Sequence, residues 1–442
     1  MHLYQINNPI ATIILAAGRG TRMKSSTPKI LHKIAYKSII EHIKDTALAV
    51  KSAQNILVIN EELQEHFAYQ SDFTLGVQKK QLGTADAVKV ALKEVKDKNS
   101  KILIIYGDTP LIRPESLIQM INAKSEITVL AFESKNPFGY GRLVTKKDKV
   151  IKLVEEKDAN SLEKKITLCN SGIMALDYKI LAKLLPKIDN KNAAKEFYLT
   201  DIIKLGNLEN YDCGFILSPE EEVLGINDRQ QLNQADEIFQ KRIHAQLFSA
   251  GVTLIKPETS YFAADIEINE DVIIHSNVVI GPNTKIGSNS NIHPFSVISD
   301  CQIGKNCNIG PMARIRPGSL IKDDVKIGNF VEVKNSTLEK GVKASHLSYI
   351  GDSYIKTETN IGAGVVTCNY DGYNKHKTKI GKNVFIGANS TIIAPITVAD
   401  GAIVAAGSTI TENVGKDDLA LARSRQINKK LGAKKLRAKL DK

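Results

Sequence analysis

The sequence predicts two domains of different class, an α/β domain with a mostly parallel sheet followed by a parallel β-helix. Three observations predict it. Aliphatic residues in the second half recur every six positions: Ile268, Ile274, Ile280, Ile286, Ile292 and Ile298. In the first half, continuous apolar runs such as Ile10–Leu15 and Lys101–Tyr106 end in glycine-containing turns. Between the halves, the stretch from Asn227 to Leu247 lacks Pro and Gly and carries Leu232, Ala235, Phe239, Ile243 and Leu247 at helical spacing.

A period of six fits neither an α-helix near 3.6 nor a strand alternating at 2. It is the signature of hexapeptide repeats that coil as parallel β-helices. After a slip the beat resumes at Ile303, Ile309, Ile315, Ile321, Ile327 and Val333, then at Leu338, Ala344 and Ile350, then at Ile355 and Ile361. It returns at Ile380, Ile386, Ile392, Val398, Val404 and Ile410. Three hexads make one triangular coil, each aliphatic residue faces inward, and coils stack at strand spacing. The slips read as loops or bulges at corners. Glycine follows many of the aliphatic residues, as at Gly281, Gly287, Gly304, Gly310, Gly328, Gly362, Gly381 and Gly387, and is expected to ease the corners. The break from Gly362 to Lys375 is too polar and glycine-rich to continue the coil, and excursions from a repeat scaffold are usually functional.

A chain of 442 residues exceeds one core, and 43% hydrophobic content is ordinary for a globular protein. No apolar run of about 18 residues suggests a membrane span, and the opening MHLYQINNPI lacks the pattern of a signal peptide. Five cysteines, Cys169, Cys213, Cys301, Cys307 and Cys368, have no metal-ligand spacing and read as free thiols of a reducing cytoplasm. The net charge of +12 sits partly in the tail, where Arg423 to Lys442 carry many bases against Asp441. Interleaved aromatics and nucleic-acid motifs are lacking, so a solvated or partly helical tail is favoured over nucleic-acid binding.

Ile10–Leu15 reads as a buried parallel strand that ends in Ala16-Ala17-Gly18-Arg19-Gly20-Thr21-Arg22-Met23. Small residues there let backbone N–H groups approach a phosphate, and Arg22 and Lys29 add cations. The loop is neither a Walker loop nor a good dinucleotide fingerprint, and a glycine turn with stray surface charge fits it as well. Asn55–Asn60 is a second strand, and Lys101–Tyr106 a third, ending in Gly107-Asp108. A carboxylate at that edge suits Mg²⁺ with phosphate oxygens, or simply forms a turn before Pro110. His346, His275, His293 and His376 are candidate bases, since imidazole titrates near neutral pH; on residue type alone each also fits a surface or packed position.

The motifs become specific together. Leu15-Ala16-Ala17-Gly18-x-Gly20-Thr21-Arg22-Met23 with Pro28-Lys29 resembles the signature of sugar-nucleotide pyrophosphorylases. Gln78, Gln81-Leu82-Gly83-Thr84-Ala85, Tyr106-Gly107-Asp108, Gly139-Tyr140-Gly141-Arg142, Val154-Glu155-Glu156-Lys157-Asp158, Asn170-Ser171-Gly172 and Gly225-Ile226-Asn227 follow in family order. With Arg314-Ile315-Arg316-Pro317-Gly318, Asn329 to Lys334 and the repeat, nearly the whole chain resembles the bacterial bifunctional N-acetylglucosamine-1-phosphate uridylyltransferases/glucosamine-1-phosphate acetyltransferases.

That resemblance implies a Rossmann-like nucleotidyltransferase domain over residues 1–227, a linker helix over 228–250 and a left-handed β-helix acetyltransferase domain with a basic tail over 251–442. It implies acetylation of glucosamine-1-phosphate by acetyl-CoA, then UMP transfer from UTP, giving a cell-wall and lipopolysaccharide precursor in the cytoplasm. It implies a homotrimer acting on small molecules, with Mg²⁺ held by Asp108 and Asn227. Leu15, Ala16, Ala17, Gly18 and Gly107 would contact the nucleotide; Arg22 and Lys29 would stabilise phosphates during catalysis. Gln78, Gly83 and Thr84 would read uracil, and Tyr106, Gly141, Glu155 and Asn170 would hold the sugar. In the prism His346 would be the catalytic base, Arg316 and Lys334 would clamp the sugar phosphate, and Tyr349 and Asn360 would lie nearby. Ala363, Asn369, Tyr370, Lys375, Ala388, Ala406 and Arg423 would line the coenzyme site, with Ala388 departing from the serine frequent in the family. Three other readings compete: a pyrophosphorylase whose prism only oligomerises, a non-catalytic nucleotide-binding assembly protein, and a zinc prism enzyme of carbonic-anhydrase type.

Overall fold

The computed structural model describes residues 9–68 and 72–440. The opening residues of the signal-peptide reading, and Asp441 and Lys442 of the tail, lie outside the described residues. The chain divides into two compact units, 1–239 and 240–442, and the division falls inside the helix Arg229–Ser249. That helix starts and ends two residues later than the sequence spacing places it.

The first unit is built on a nine-stranded mixed sheet. Its strands are β1 (Ile10–Leu15), β2 (Gln54–Ile59), β3 (Thr74–Val77), β4 (Lys101–Tyr106), β5 (Ile127–Glu133), β6 (Gly141–Lys146), β7 (Lys149–Val154), β8 (Leu168–Asp177) and β9 (Cys213–Leu217). The order is β9-β5-β8-β4-β1-β2-β3, with β6 and β7 attached beside β8. β1 runs parallel to β2 and β4, whereas β8 is antiparallel to β4 and β5. All six residues of β1 are buried, because helices cover both faces of a central strand. Helix α1 (Ile39–Ala49) opens with a capping box, Ser38 with Glu41, and buries Ile39, Ile40 and Ile43.

The second unit is a parallel β-helix of three sheets with ten, nine and eight strands. Each in-phase aliphatic residue named above is buried. Full burial of one such side chain is worth about 1.5–3 kcal/mol, so stability accumulates coil by coil. Lys285 pairs with Gln302 and Gln302 with Leu320, so a coil takes 17 or 18 residues and the slips are absorbed at corners.

Two expectations are corrected here. Of the glycines that follow the aliphatic residues, only Gly310 has positive φ. The others are required by close approach: a Cβ on Gly287 would sit 2.7 Å from the Gly304 carbonyl carbon, and one on Gly387 2.4 Å from Ala406 N. Positive φ at the corners is carried by residues such as Asn277, Asn283, Asn289 and Asn306, whose short polar side chains tolerate it. The excursion is also shorter than its composition suggests. Val366–Cys368 still pairs in the coil, between Tyr349 and Thr391. Thr367 takes the in-phase slot, 1% exposed, and its hydroxyl donates to Gly351 O, so a satisfied polar residue hides the beat.

Candidate functional site

The first cleft forms where β1 and β4 end side by side. Leu15 pairs with Tyr106, and Gly107 N donates to Leu15 O at 2.9 Å. A Cβ on Gly107 would meet Ala16 Cβ at 2.8 Å, so only glycine lets the two strand ends abut. The cleft measures about 280 Å³ and is lined by Leu15, Ala16, Ala17, Gly18, Gly107 and Asp108 on the strand-end side. Gln78, Gly83, Thr84, Tyr106 and Lys29 complete it from the sequence-predicted set. Gly20, with φ of +61°, folds against Lys29, and a Cβ there would collide with Lys29 Cβ at 2.6 Å.

Lys29 joins residues far apart in the chain. Its ammonium lies 2.5 Å from Asp108 Oδ2 and 3.3 Å from Asn227 Oδ1, with the lysine side chain 10% exposed. Two hard oxygen donors thus converge on one cation, a donor set suited to Mg²⁺. Asn227 lies outside the cleft lining, as does Arg22, which is exposed on the turn Thr21–Met23.

A second group adjoins Tyr106. Gly141 on β6 pairs with Asn170 on β8, and a Cβ on Gly141 would lie 3.4 Å from Glu155 Oε2. Gly172, with φ of +85°, leaves room for the Tyr106 ring. Burial, with the charges of Glu155 and Asp108, pushes the Tyr106 hydroxyl well above the usual phenol range. Burial also raises the Glu155 carboxyl, against a hydrogen bond from Thr200 Oγ at 3.1 Å that lowers it.

The sequence reading gave no role to several contributors. Gln81, Ala87 and Glu196 line the cleft, and Gln81 donates to Ala17 O at 2.9 Å. Glu196 arrives because Phe197 bonds to Leu82 O and accepts from Ala85 N, a crossing without a local signal. Arg142, 1% exposed, bonds Glu156 at 2.7 Å and the Tyr140 carbonyl, tying together two motifs quoted without a role.

On the prism, Asn329 and His346 stand opposite each other on neighbouring strands. His346 is exposed, and its Nδ1 lies 2.7 Å from Asn329 Oδ1. An amide oxygen there accepts a hydrogen bond from Nδ1–H, which keeps the proton on Nδ1 and leaves Nε2 with the free lone pair a base needs. Arg316 binds Glu332 at 2.6 Å, and Glu332 pairs with Tyr349. Lys334 pairs with Gly351, one residue beyond Ile350, so Arg316, Lys334 and Tyr349 occupy consecutive coils. Asn360 lies beside Lys343, one coil beyond the strand that carries His346. Asn369 is buried and donates to Asp352, while Tyr370 is exposed and bridges to Lys375 across the excursion. Ala363, Ala388 and Ala406 form a column: Asn389 N donates to Ala363 O, Gly407 N to Ala388 O, and Ala405 precedes Ala406 in the next coil. Arg423 is exposed, and its Cδ comes within 3.9 Å of where a Gly407 Cβ would sit. Among the described residues no group of three or more His, Cys, Asp or Glu is placed to hold a metal by itself.

Comparison with known proteins covers both units. Residues 12–165 match the MobA-like NTP transferase domain. Residues 265–300 and 300–335 match the bacterial transferase hexapeptide family, and residues 377–412 the hexapeptide repeat of succinyl-transferase. The bifunctional protein GlmU of Bartonella bacilliformis is 44% identical over 438 residues, covering 98% of each chain. GlmU of Parvibaculum lavamentivorans is 48% identical over 429 residues, covering 96% of this chain and 95% of its own. GlmU of Staphylococcus haemolyticus is 42% identical, covering 94% and 98%. A cleft of pyrophosphorylase type on the first unit, a histidine-bearing hexapeptide prism in the second, and identity along the full length lead to one conclusion: the chain belongs to the GlmU family of bifunctional enzymes, with nucleotidyltransferase and acetyltransferase activities.

Proposed function

We propose that the prism acetylates glucosamine-1-phosphate with acetyl-CoA and that the first domain then couples the product to UTP, releasing pyrophosphate and UDP-N-acetylglucosamine. The uridylyltransferase domain spans 1–227, the linker helix 228–250 and the acetyltransferase domain with its basic tail 251–442. The observation that carries the uridylyl half is the convergence of Lys29, Asp108 and Asn227 at the end of β1 and β4. The sugar-phosphate oxygen attacks the α-phosphorus in line, and the protein's task is positioning and charge neutralisation. Leu15 to Gly18 and Gly107 bring backbone to the nucleotide; Gln78, Gly83 and Thr84 read uracil. Tyr106, Gly141, Glu155 and Asn170 hold the sugar. Lys29, with Arg22 from the exposed turn, stabilises charge on the phosphates. Asp108 and Asn227 hold Mg²⁺, which when bound neutralises phosphate charge.

On the prism, His346 takes a proton from the sugar amine as that amine attacks the thioester carbonyl; the C–S bond then breaks, coenzyme A leaves as its thiol with the proton returned by His346, and Asn329 holds the ring in the competent tautomer. Arg316, Lys334, Tyr349 and Asn360 bind the sugar phosphate, and Ala363, Asn369, Tyr370, Lys375, Ala388, Ala406 and Arg423 bind acetyl-CoA. Glu332 holds the Arg316 guanidinium in the meantime and yields it to phosphate. The enzyme works as a homotrimer in the cytoplasm. The exposed column Phe295, Met312, Phe330 and Leu347, one residue per coil, supports assembly, because contiguous exposed apolar side chains are costly on a free surface. Among the described residues no helix is long and apolar enough to cross a membrane.

The test supplies glucosamine-1-phosphate, acetyl-CoA, UTP and Mg²⁺ and follows UDP-N-acetylglucosamine by mass. His346→Ala should abolish acetyl transfer and spare uridylyl transfer, and Asp108→Ala should do the reverse. Loss of both activities from either change in a folded protein would overturn the two-site reading.

A further inference from the structure

Gln78 lines the first cleft and is 4% exposed. Its Nε2 donates to Asp86 Oδ2 at 2.8 Å and to Gly83 O at 3.2 Å. A primary amide has two N–H donors and one carbonyl acceptor. Both partners of Nε2, a carboxylate and a peptide carbonyl, accept only. Turning the amide over would set its oxygen against two acceptors inside a largely buried site and leave those groups unpaired. The amide therefore has one orientation, with both hydrogens engaged and Oε1 left to present to the cleft. Asp86 stands on the helix Thr84–Leu92 and is absent from the cleft lining.

We propose that Asp86 is a positioning residue that sets pyrimidine specificity by fixing the Gln78 amide, so that Oε1 accepts from the imide N–H of uracil. Cytosine offers a lone pair at the same ring position and so meets acceptor with acceptor. A base with the same imide, such as thymine, passes this check, so the device separates uracil from cytosine and nothing finer. The inference rests on Gln78 as the base-reading residue.

The test measures kcat/KM for UTP and for CTP in nucleotidyl transfer by the full chain, with acetyl transfer as an internal control. Asp86→Ala should lower the UTP-to-CTP ratio by about 2- to 13-fold, the equivalent of one hydrogen bond to the base. Asp86→Asn, which can still offer a carbonyl oxygen to Nε2, should restore most of the ratio. Asp86→Lys, which offers a donor instead, should turn the amide over and raise CTP use; it serves also if Asp86→Ala folds poorly. Acetyl transfer should stay at wild-type level throughout. If Gln78→Ala loses discrimination while Asp86→Ala and Asp86→Lys keep the wild-type ratio, Asp86 does not set the amide and the proposal falls. If Gln78→Ala keeps discrimination, the base-reading role of Gln78 falls first, and the proposal with it.

Discussion

Asn329→Ala tests the proposed role of His346 as the base of the prism. The substitution removes the oxygen that lies 2.7 Å from His346 Nδ1 and leaves the imidazole itself in place. His346 is exposed, so water competes for the same proton, and the lost bond is worth about 0.5–1.5 kcal/mol. At 1.36 kcal/mol per tenfold, acetyl transfer should slow by about 2- to 13-fold. Removing the base with His346→Ala should cost far more, about 10²–10⁴-fold, the usual worth of a positioned general base. Because Asn329 acts only through His346, the two losses should not add. The double variant should match His346→Ala alone. The assay is release of free coenzyme A thiol, with pyrophosphate release from the first unit as the control for folding. The reasoning fails if Asn329→Ala slows the His346→Ala enzyme by a further comparable factor, or if it alone equals loss of the histidine.

Three further outcomes follow from the geometry. Arg142→Met removes the bond to Glu156 and the one to the Tyr140 carbonyl from a site 1% exposed. With the Glu156 side chain 20% exposed, screening limits the cost to about 1–3 kcal/mol, read by urea denaturation; KM for the sugar phosphate should rise while KM for UTP holds. Gly287→Ala forces a Cβ into the backbone of the next coil at 2.7 Å and should destabilise the second unit by about 1–3 kcal/mol without slowing uridylyl transfer, checked by thermal unfolding beside the activity. Glu155 has its carboxyl raised by burial, reinforced by Asp158, Asp201 and Glu196 and opposed by Thr200. A raised carboxyl takes its proton at a higher pH than usual, so in its proposed role as an acceptor for sugar hydroxyls it weakens earlier on acidification. KM for the sugar phosphate should climb on acidification at a higher pH than an ordinary carboxylate would allow, and Glu155→Gln should flatten that profile.

The prism was legible because its signal is one-dimensional. Each coil meets only its neighbours, so a buried row repeats in the chain as it repeats in space, from Ile268 to Ile410. The reading failed where one residue type can serve two purposes. Glycine after an aliphatic residue can turn a corner or admit a neighbouring backbone, and only the stacked coil shows that Gly287 and Gly387 do the second. Thr367 breaks the pattern in letters and keeps it in space. In the first unit β1 and β4 were exact, because buried parallel strands are continuous apolar runs. Glu196 and Asp86 went unread, since neither differs in kind from a surface acid until its partner is placed.

By itself the pattern of the sequence determined the two domain classes and the strand ends that carry the cleft, set by which side chains must leave water and which small residues must lie beside a ligand. Gln78, Gly83, Thr84 and Tyr106 were legible only through the resemblance to the family, not from local pattern. The tertiary structure alone decided that Lys29 lies between Asp108 and Asn227, that Asn329 orients His346, and that Asp86 leaves Gln78 with only an acceptor to show. Hydrogen bonds depend on separations of a few tenths of an ångström between groups the chain brings together from far apart, and no local pattern encodes such a separation.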